Sequence, residues 1–87
     1  MAKALVPLAK GFEEIEAVTI VDVLRRGGVE VVTASVHEST EVIGAHGIPM
    51  KADARLADVA DGDFDAIVLP GGGEGTENLK NSDRLIR

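Results

Sequence analysis

Residues 4–36 read as strand, helix, strand, and that order limits the fold more than any other feature of the chain. Ala4–Ala9 is a short apolar run, and Val29–Val36 is a second run rich in β-branched residues. Between them Gly11 opens a helix whose charges match its dipole. Glu13, Glu14 and Glu16 crowd the first turn, Arg25 and Arg26 occupy the last, and Gly27-Gly28 supplies a left-handed C-cap. A helix joining two strands is a βαβ unit, so the strands are expected to be parallel with a right-handed crossover. Pro7 removes a ladder donor and belongs at an edge or a bulge. The strand assignment leaves it unexplained.

The helix is apolar over a wide arc. Ile15, Val18, Val21 and Leu24 form one stripe, and Ala17, Ile20 and Val23 broaden it. One sheet face needs a narrower stripe. The excess predicts contact with something more, and a second copy of the chain is one candidate.

Further along, Val42-Ile43 and Ile48–Lys51 flank Gly44-Ala45-His46-Gly47, a hairpin-like excursion in which Pro49 argues for an edge position. Asp53–Ala60 is expected to be a short helix anchored by Leu56 and Val59. Asp65–Leu69 is expected to be a strand buried on both faces, and Pro70 ends it. A new helix is predicted near Ser82, a good N-cap, with Leu85 and Ile86 as its first apolar pair.

Gly71-Gly72-Gly73-Glu74-Gly75 follows that strand directly. Glycines there let the backbone turn sharply and aim N–H groups outward, which is how α/β proteins build binding or oxyanion sites at a sheet's carboxyl edge. A plain tight turn explains them equally well. Carboxyl edges of parallel strands converge, so Gly11–Glu16 and Pro70–Gly75 should face each other across one crevice. Glu16, among Ile15, Ala17 and Ile20, is the carboxylate of interest. Held there it would be desolvated and suited to acid/base work; a helix-terminal charge on a solvated face is the competing view. Glu13 and Glu14 are taken as such solvated charges.

Several classes are excluded. The glycine nest is not a dinucleotide fingerprint, and no Lys-Ser/Thr follows it as a phosphate loop requires. No serine nucleophile elbow is visible. His37 and His46 lack metal-ligand spacing, so no metal is expected. A net charge of −6 speaks against nucleic-acid and anionic-membrane partners, and no run approaches a membrane span. With no cysteine, there is no disulfide framework. The expected compartment is cytoplasmic. Aromatics are 2% of residues, so the core must be built from Val, Ile, Leu and Ala, which suits α/β layers. Three or four parallel strands in 87 residues are about half of a doubly wound sheet. The C-terminal half of the same domain is therefore an expected partner.

Ala4–Glu16, followed by Val21-Asp22-Val23-Leu24-Arg25-Arg26-Gly27-Gly28, resembles the start of the ThiJ/PfpI superfamily, closest to the branch of the parkinsonism-associated deglycase and its bacterial relatives. Asp65–Gly72, ending Val-Leu-Pro-Gly-Gly, resembles that family's second signature, with Asp53, Leu56 and Asp58 fitting between. The resemblance implies a flavodoxin-like three-layer α/β/α sandwich with a mainly parallel sheet, usually a homodimer. It implies a nucleophilic cysteine at a strand-to-helix elbow beyond the helix near Ser82, outside this chain. By the same analogy, Glu16 is the carboxyl that tunes that cysteine, and Gly72, with Gly71 beside it, lies in the loop whose N–H groups form the oxyanion hole. The first helix and the hairpin would reach the dimer interface, with Arg26 and His46 as dimer or anion contacts. His46 stands where close relatives often have arginine, and Pro7 where they have an aliphatic residue.

The implied activity is that of a cofactor-free glyoxalase or deglycase acting on small aldehydes or glycated groups. The alternatives are an oxidative-stress sensor or chaperone without turnover, or an amidase-type hydrolase on the same scaffold. This chain alone is expected to be inactive.

Overall fold

The computed structural model describes residues 2–71. Its elements are β1 (Lys3–Leu8), α1 (Glu14–Arg26), β2 (Glu30–Ser35), β3 (Glu41–Ile43), β4 (Pro49–Lys51), β5 (Ala54–Arg55), α2 (Leu56–Val59) and β6 (Ala66–Ile67). Four strands form one sheet in the order β5-β2-β1-β6, all neighbours parallel, while β3 and β4 make a separate antiparallel pair. The predicted βαβ unit is present, with β1 and β2 aligned from Lys3↔Glu30 to Leu8↔Ser35.

Strand alternation sends side chains to two different layers. Val6, Leu8 and Val31 pack with Ala17 and Val21 of α1 on one face. Leu5, Ala34 and Val32 pack with Leu56 and Val59 of α2 on the other. The β1–β2 part of the sheet is thus covered on both sides, as a parallel sheet requires. Phe12, fully buried, closes the α1 layer beneath the hairpin, where Val42 joins the same cluster.

The caps of α1 match their chemistry. Glu13 is the N-cap, and its carboxylate accepts the Glu16 N–H at 2.8 Å. At the other end Gly27 is the C-cap with φ −82°, and the left-handed residue is Gly28, φ 85°.

Three expectations are corrected. Pro7 lies in a strand paired on both sides, not at an edge. Ala2 and Leu8 direct carbonyls to β2, whereas Lys3 and Leu5 direct theirs to the β6 side. Pro7 belongs to the second set, beyond Leu5↔Ile67 where the β6 register ends, so no paired ladder position loses a donor. Asp53–Ala60 is not one helix, because Ala54–Arg55 pairs first with β2 and the helix is the single turn Leu56–Val59. β6 is the outer strand of the sheet among the described residues, and Ile67 and Leu69 are both 55% exposed, so this run is not buried. The helix predicted around Ser82 lies outside the described residues.

Candidate functional site

The strand order fixes where a site belongs. From β1 the sheet grows through β2 and β5 on one side and through β6 on the other, so direction switches between β1 and β6. Ligands of open α/β sheets bind at the carboxyl ends of strands beside such a switch. Here the segment leaving β1 and the segment leaving β6 meet, as predicted. The Glu13 N–H donates to the Gly71 carbonyl at 2.8 Å, and the Val68 N–H donates to the Leu5 carbonyl at 2.9 Å.

Glu16 and Gly71 are brought together there. A methyl group built on Gly71 would lie 2.7 Å from Glu16 Oε1 and 2.9 Å from Oε2. Only a residue without a side chain leaves room for the carboxylate at this place. Glu16 is exposed among the described residues, so the burial expected for it is absent. Gly72 lies outside the described residues.

The buried carboxylate is Glu14, 5% exposed, which contradicts its assignment to a solvated face. The β3–β4 hairpin folds over it. Its Oε2 accepts the His46 N–H at 2.7 Å and the Ile48 N–H at 3.3 Å, and its Oε1 pairs with His46 Nδ1 at 2.8 Å. Burial opposes ionisation of Glu14, but the hydrogen bonds from the His46 ring, the His46 N–H and the Ile48 N–H outweigh it. The pKa is lowered to about 2. An ionised carboxylate only accepts, so Nδ1 carries the proton. The same hydrogen bond, with the charge of Glu14, raises the His46 pKa. Gly44 is required because a Cβ there would overlap the Glu14 carboxyl.

The remaining site predictions scatter. The His46 side chain is 69% exposed on the hairpin, its Nδ1 taken by Glu14. Arg26 donates from Nε to both carboxylate oxygens of Asp22 at 3.0 Å, one turn back on α1. Ten residues separate it from Glu16, about 15 Å of helix. His37 Nε2 accepts the Lys10 N–H at 3.0 Å. Among the described residues, Glu13, Glu14 and His46 each offer a potential metal-ligand atom within 4.8 Å of one another, a grouping their spacing in sequence does not reveal. They surround the N-terminus of α1, whose positive dipole end opposes a cation.

Two features of the structure leave no trace in the local sequence pattern. One is the Glu14 clasp, whose partners lie more than 30 residues away. The other is a tie between layers: Asp53 Oδ2 accepts from Thr33 N–H at 3.0 Å and from Arg25 Nη2 at 3.1 Å, while Asp53 N–H donates to Thr33 Oγ1 at 2.9 Å. Its partners Arg25 and Thr33 lie 28 and 20 residues from Asp53, and the expected Asp53–Ala60 helix gave no local signal for it.

A parallel sheet whose order switches between β1 and β6, with the Glu16 carboxylate against Gly71 at that switch, is the arrangement of an open α/β fold. The chain belongs to the DJ-1/PfpI family, whose model matches residues 2–87. It is 53% identical over 83 residues to protein DJ-1 homolog B of Arabidopsis thaliana, covering 95% of this chain and 19% of that protein. It is 40% identical over 79 residues to protein dj-1beta of Drosophila melanogaster, covering 91% and 42%. Among solved structures it superposes on oxidized Toxoplasma gondii DJ-1 with a TM-score of 0.95 at 45% identity, covering 98% of this chain and 46% of that one. A DJ-1 superfamily protein of Salmonella typhimurium, solved as a cysteine-to-alanine mutant, gives 0.94 at 45% identity, covering 99% and 46%. The chain therefore spans from about a fifth to under half the length of these relatives.

Proposed function

We propose that the complete protein is a cysteine-dependent, cofactor-free enzyme acting on small 2-oxoaldehydes of the methylglyoxal class, or on the glycated groups they form. The observation that carries this reading is the Glu16 carboxylate lying against Gly71 at the switch point of the sheet. The nucleophilic thiol comes from the C-terminal half. That a 45% identical Salmonella relative was studied as a cysteine-to-alanine mutant supports the choice of nucleophile.

The thiolate adds to the aldehyde carbon and forms a hemithioacetal. N–H groups of the Gly71-Gly72 loop stabilise the alkoxide. Glu16 removes the proton from the former aldehyde carbon, giving an enediol, and returns a proton to the neighbouring carbon. The resulting thioester is hydrolysed by water, which releases a 2-hydroxy acid and regenerates the thiol. The sum is oxoaldehyde plus water to hydroxy acid, with no net oxidation and no cofactor. A thiol enzyme of this kind suits the reducing cytoplasm. The exposed apolar face of Ile15 (76% exposed), Val18 (51%) and Ile48 (54%) supports pairing of two copies.

Replacing Glu16 with Gln in the complete protein is expected to lower kcat by about 10²–10⁴. Unchanged turnover would remove Glu16 from the mechanism. The second reading, thiol oxidation without aldehyde turnover, is favoured by the oxidized state of the Toxoplasma relative. A peroxide-dependent mass shift on the thiol, with no hydroxy acid formed, would select it.

A further inference from the structure

Residues 13–16 have the spacing of a reciprocal capping box, Glu-x-x-Glu. In such a box the cap side chain accepts the N3 N–H, and the N3 carboxylate reaches back to the N–H of the cap residue. Only the first half of the exchange is made here. Glu13 Oε2 accepts the Glu16 N–H at 2.8 Å, but the Glu13 N–H is directed to the Gly71 carbonyl at 2.8 Å. The Glu16 carboxylate is thereby released from its usual capping partner and lies against the Gly71 Cα. One residue, Glu13, makes both contacts. It ties the backbone of Glu16 and the loop of Gly71 to the same point at the start of α1.

We infer that Glu13 is the positioning residue of the site: by capping α1 with its side chain and holding Gly71 with its N–H, it aims the Glu16 carboxylate into the crevice. Glu13 touches no reacting atom. It acts through Glu16, so the inference rests on the acid/base reading of that residue. Its carboxylate works as a hydrogen-bond acceptor, and its charge is incidental. Glutamate is outside the preferred N-cap set of Ser, Thr, Asp and Asn. Its longer side chain, reaching N3 while its own N–H binds across the crevice, accounts for an unusual cap at this position.

The test uses the complete protein with methylglyoxal as substrate. Glu13→Ala removes the acceptor and is expected to lower kcat about 10-fold to 10²-fold with KM within about twofold, because misplacement of a reacting group by about 1 Å costs on that order. Glu13→Gln keeps an acceptor oxygen at the same reach and is expected to restore kcat to within about threefold of the parent. A crystal structure of Glu13→Ala is expected to show the Glu16 carboxylate withdrawn from Gly71. Wild-type kcat in Glu13→Ala, or an equal fall in Glu13→Gln and Glu13→Ala, overturns the inference. Should Glu13→Ala fail to fold, the Gln variant decides alone, since a loss of kcat there shows that charge matters instead of the cap. The acid/base reading fails separately: Glu16→Gln would then turn over normally, while the carboxylate in the Glu13→Ala crystal would still have moved.

Discussion

Adding one methyl group at Gly71 probes the site with little disturbance elsewhere. Gly71 is not among the glycines with positive φ, so alanine meets no backbone strain there. Its Cβ would stand 2.7 Å from Glu16 Oε1, 2.9 Å from Oε2 and 3.1 Å from Cδ, where ordinary contact begins at 3.4 Å. The carboxylate must therefore retreat by at least about 0.7 Å, the difference between 3.4 and 2.7. It sits at the end of a flexible side chain, so the fold yields at about 0.5–1.5 kcal/mol, the cost of an off-rotamer torsion. The midpoint of thermal unfolding should move by only a few degrees. Catalysis should respond far more strongly. A displacement near 1 Å costs about 10²-fold, or roughly 2.7 kcal/mol of barrier. The assay is steady-state turnover of a 2-oxoaldehyde by the complete protein, parent against Gly71→Ala. Gly27→Ala is the control, since its Cβ meets nothing closer than 3.5 Å and it lies at the far end of α1. Turnover unchanged in Gly71→Ala, with the carboxylate visibly displaced in a crystal, would refute the claim that its position matters.

Two further perturbations follow from the packing and the clasp. Phe12→Ala should destabilise the protein by about 3–5 kcal/mol, read as a lower urea midpoint, because this fully buried ring joins the sheet layer to the hairpin. The His46–Glu14 pair should protect the hairpin amides of His46 and Ile48 best between about pH 4.5 and 6.5. Below the ordinary His pKa of 6.5 the raised His46 pKa contributes its full stabilisation, which is lost as pH rises through the folded value. Above the ordinary Glu value of 4.5 the lowered Glu14 pKa contributes fully, and this is lost as pH falls toward about 2. Hydrogen exchange of those two amides across pH, corrected for intrinsic rates, checks the window; protection that keeps rising above pH 8 would contradict it.

The parts of this fold written in local pattern were readable from sequence. Dipole-matched charges and Gly27-Gly28 bound α1, an apolar run marks β1, a β-branched run marks β2, and Gly44–Gly47 turns the hairpin. What failed depended on partners distant in sequence. Helical periodicity names a broad apolar face but does not say which arc the sheet takes. Ala17 and Val21 go inward, whereas Ile15, Val18 and Val23 stay exposed. Burial falls on Glu14 because a hairpin from residues 41–51 closes over it, a contact that the order of residues 13–16 does not show. The meeting of the segments after β1 and β6 was predictable, since strand order alone places them side by side. The capping geometry of Glu13 was not, because the spacing of 13 and 16 implies a closed box while the structure diverts half of it to Gly71.

The complete protein is proposed to run thiol chemistry through Glu16, where the segments after β1 and β6 meet. The most direct measurement is NMR of methylglyoxal incubated with the complete protein in deuterated water. The expected product is a 2-hydroxy acid carrying deuterium at the carbon beside the carboxyl, formed by the parent and lost in Glu16→Gln. Unconsumed aldehyde in the presence of an intact thiol, or equal product from both proteins, would contradict it.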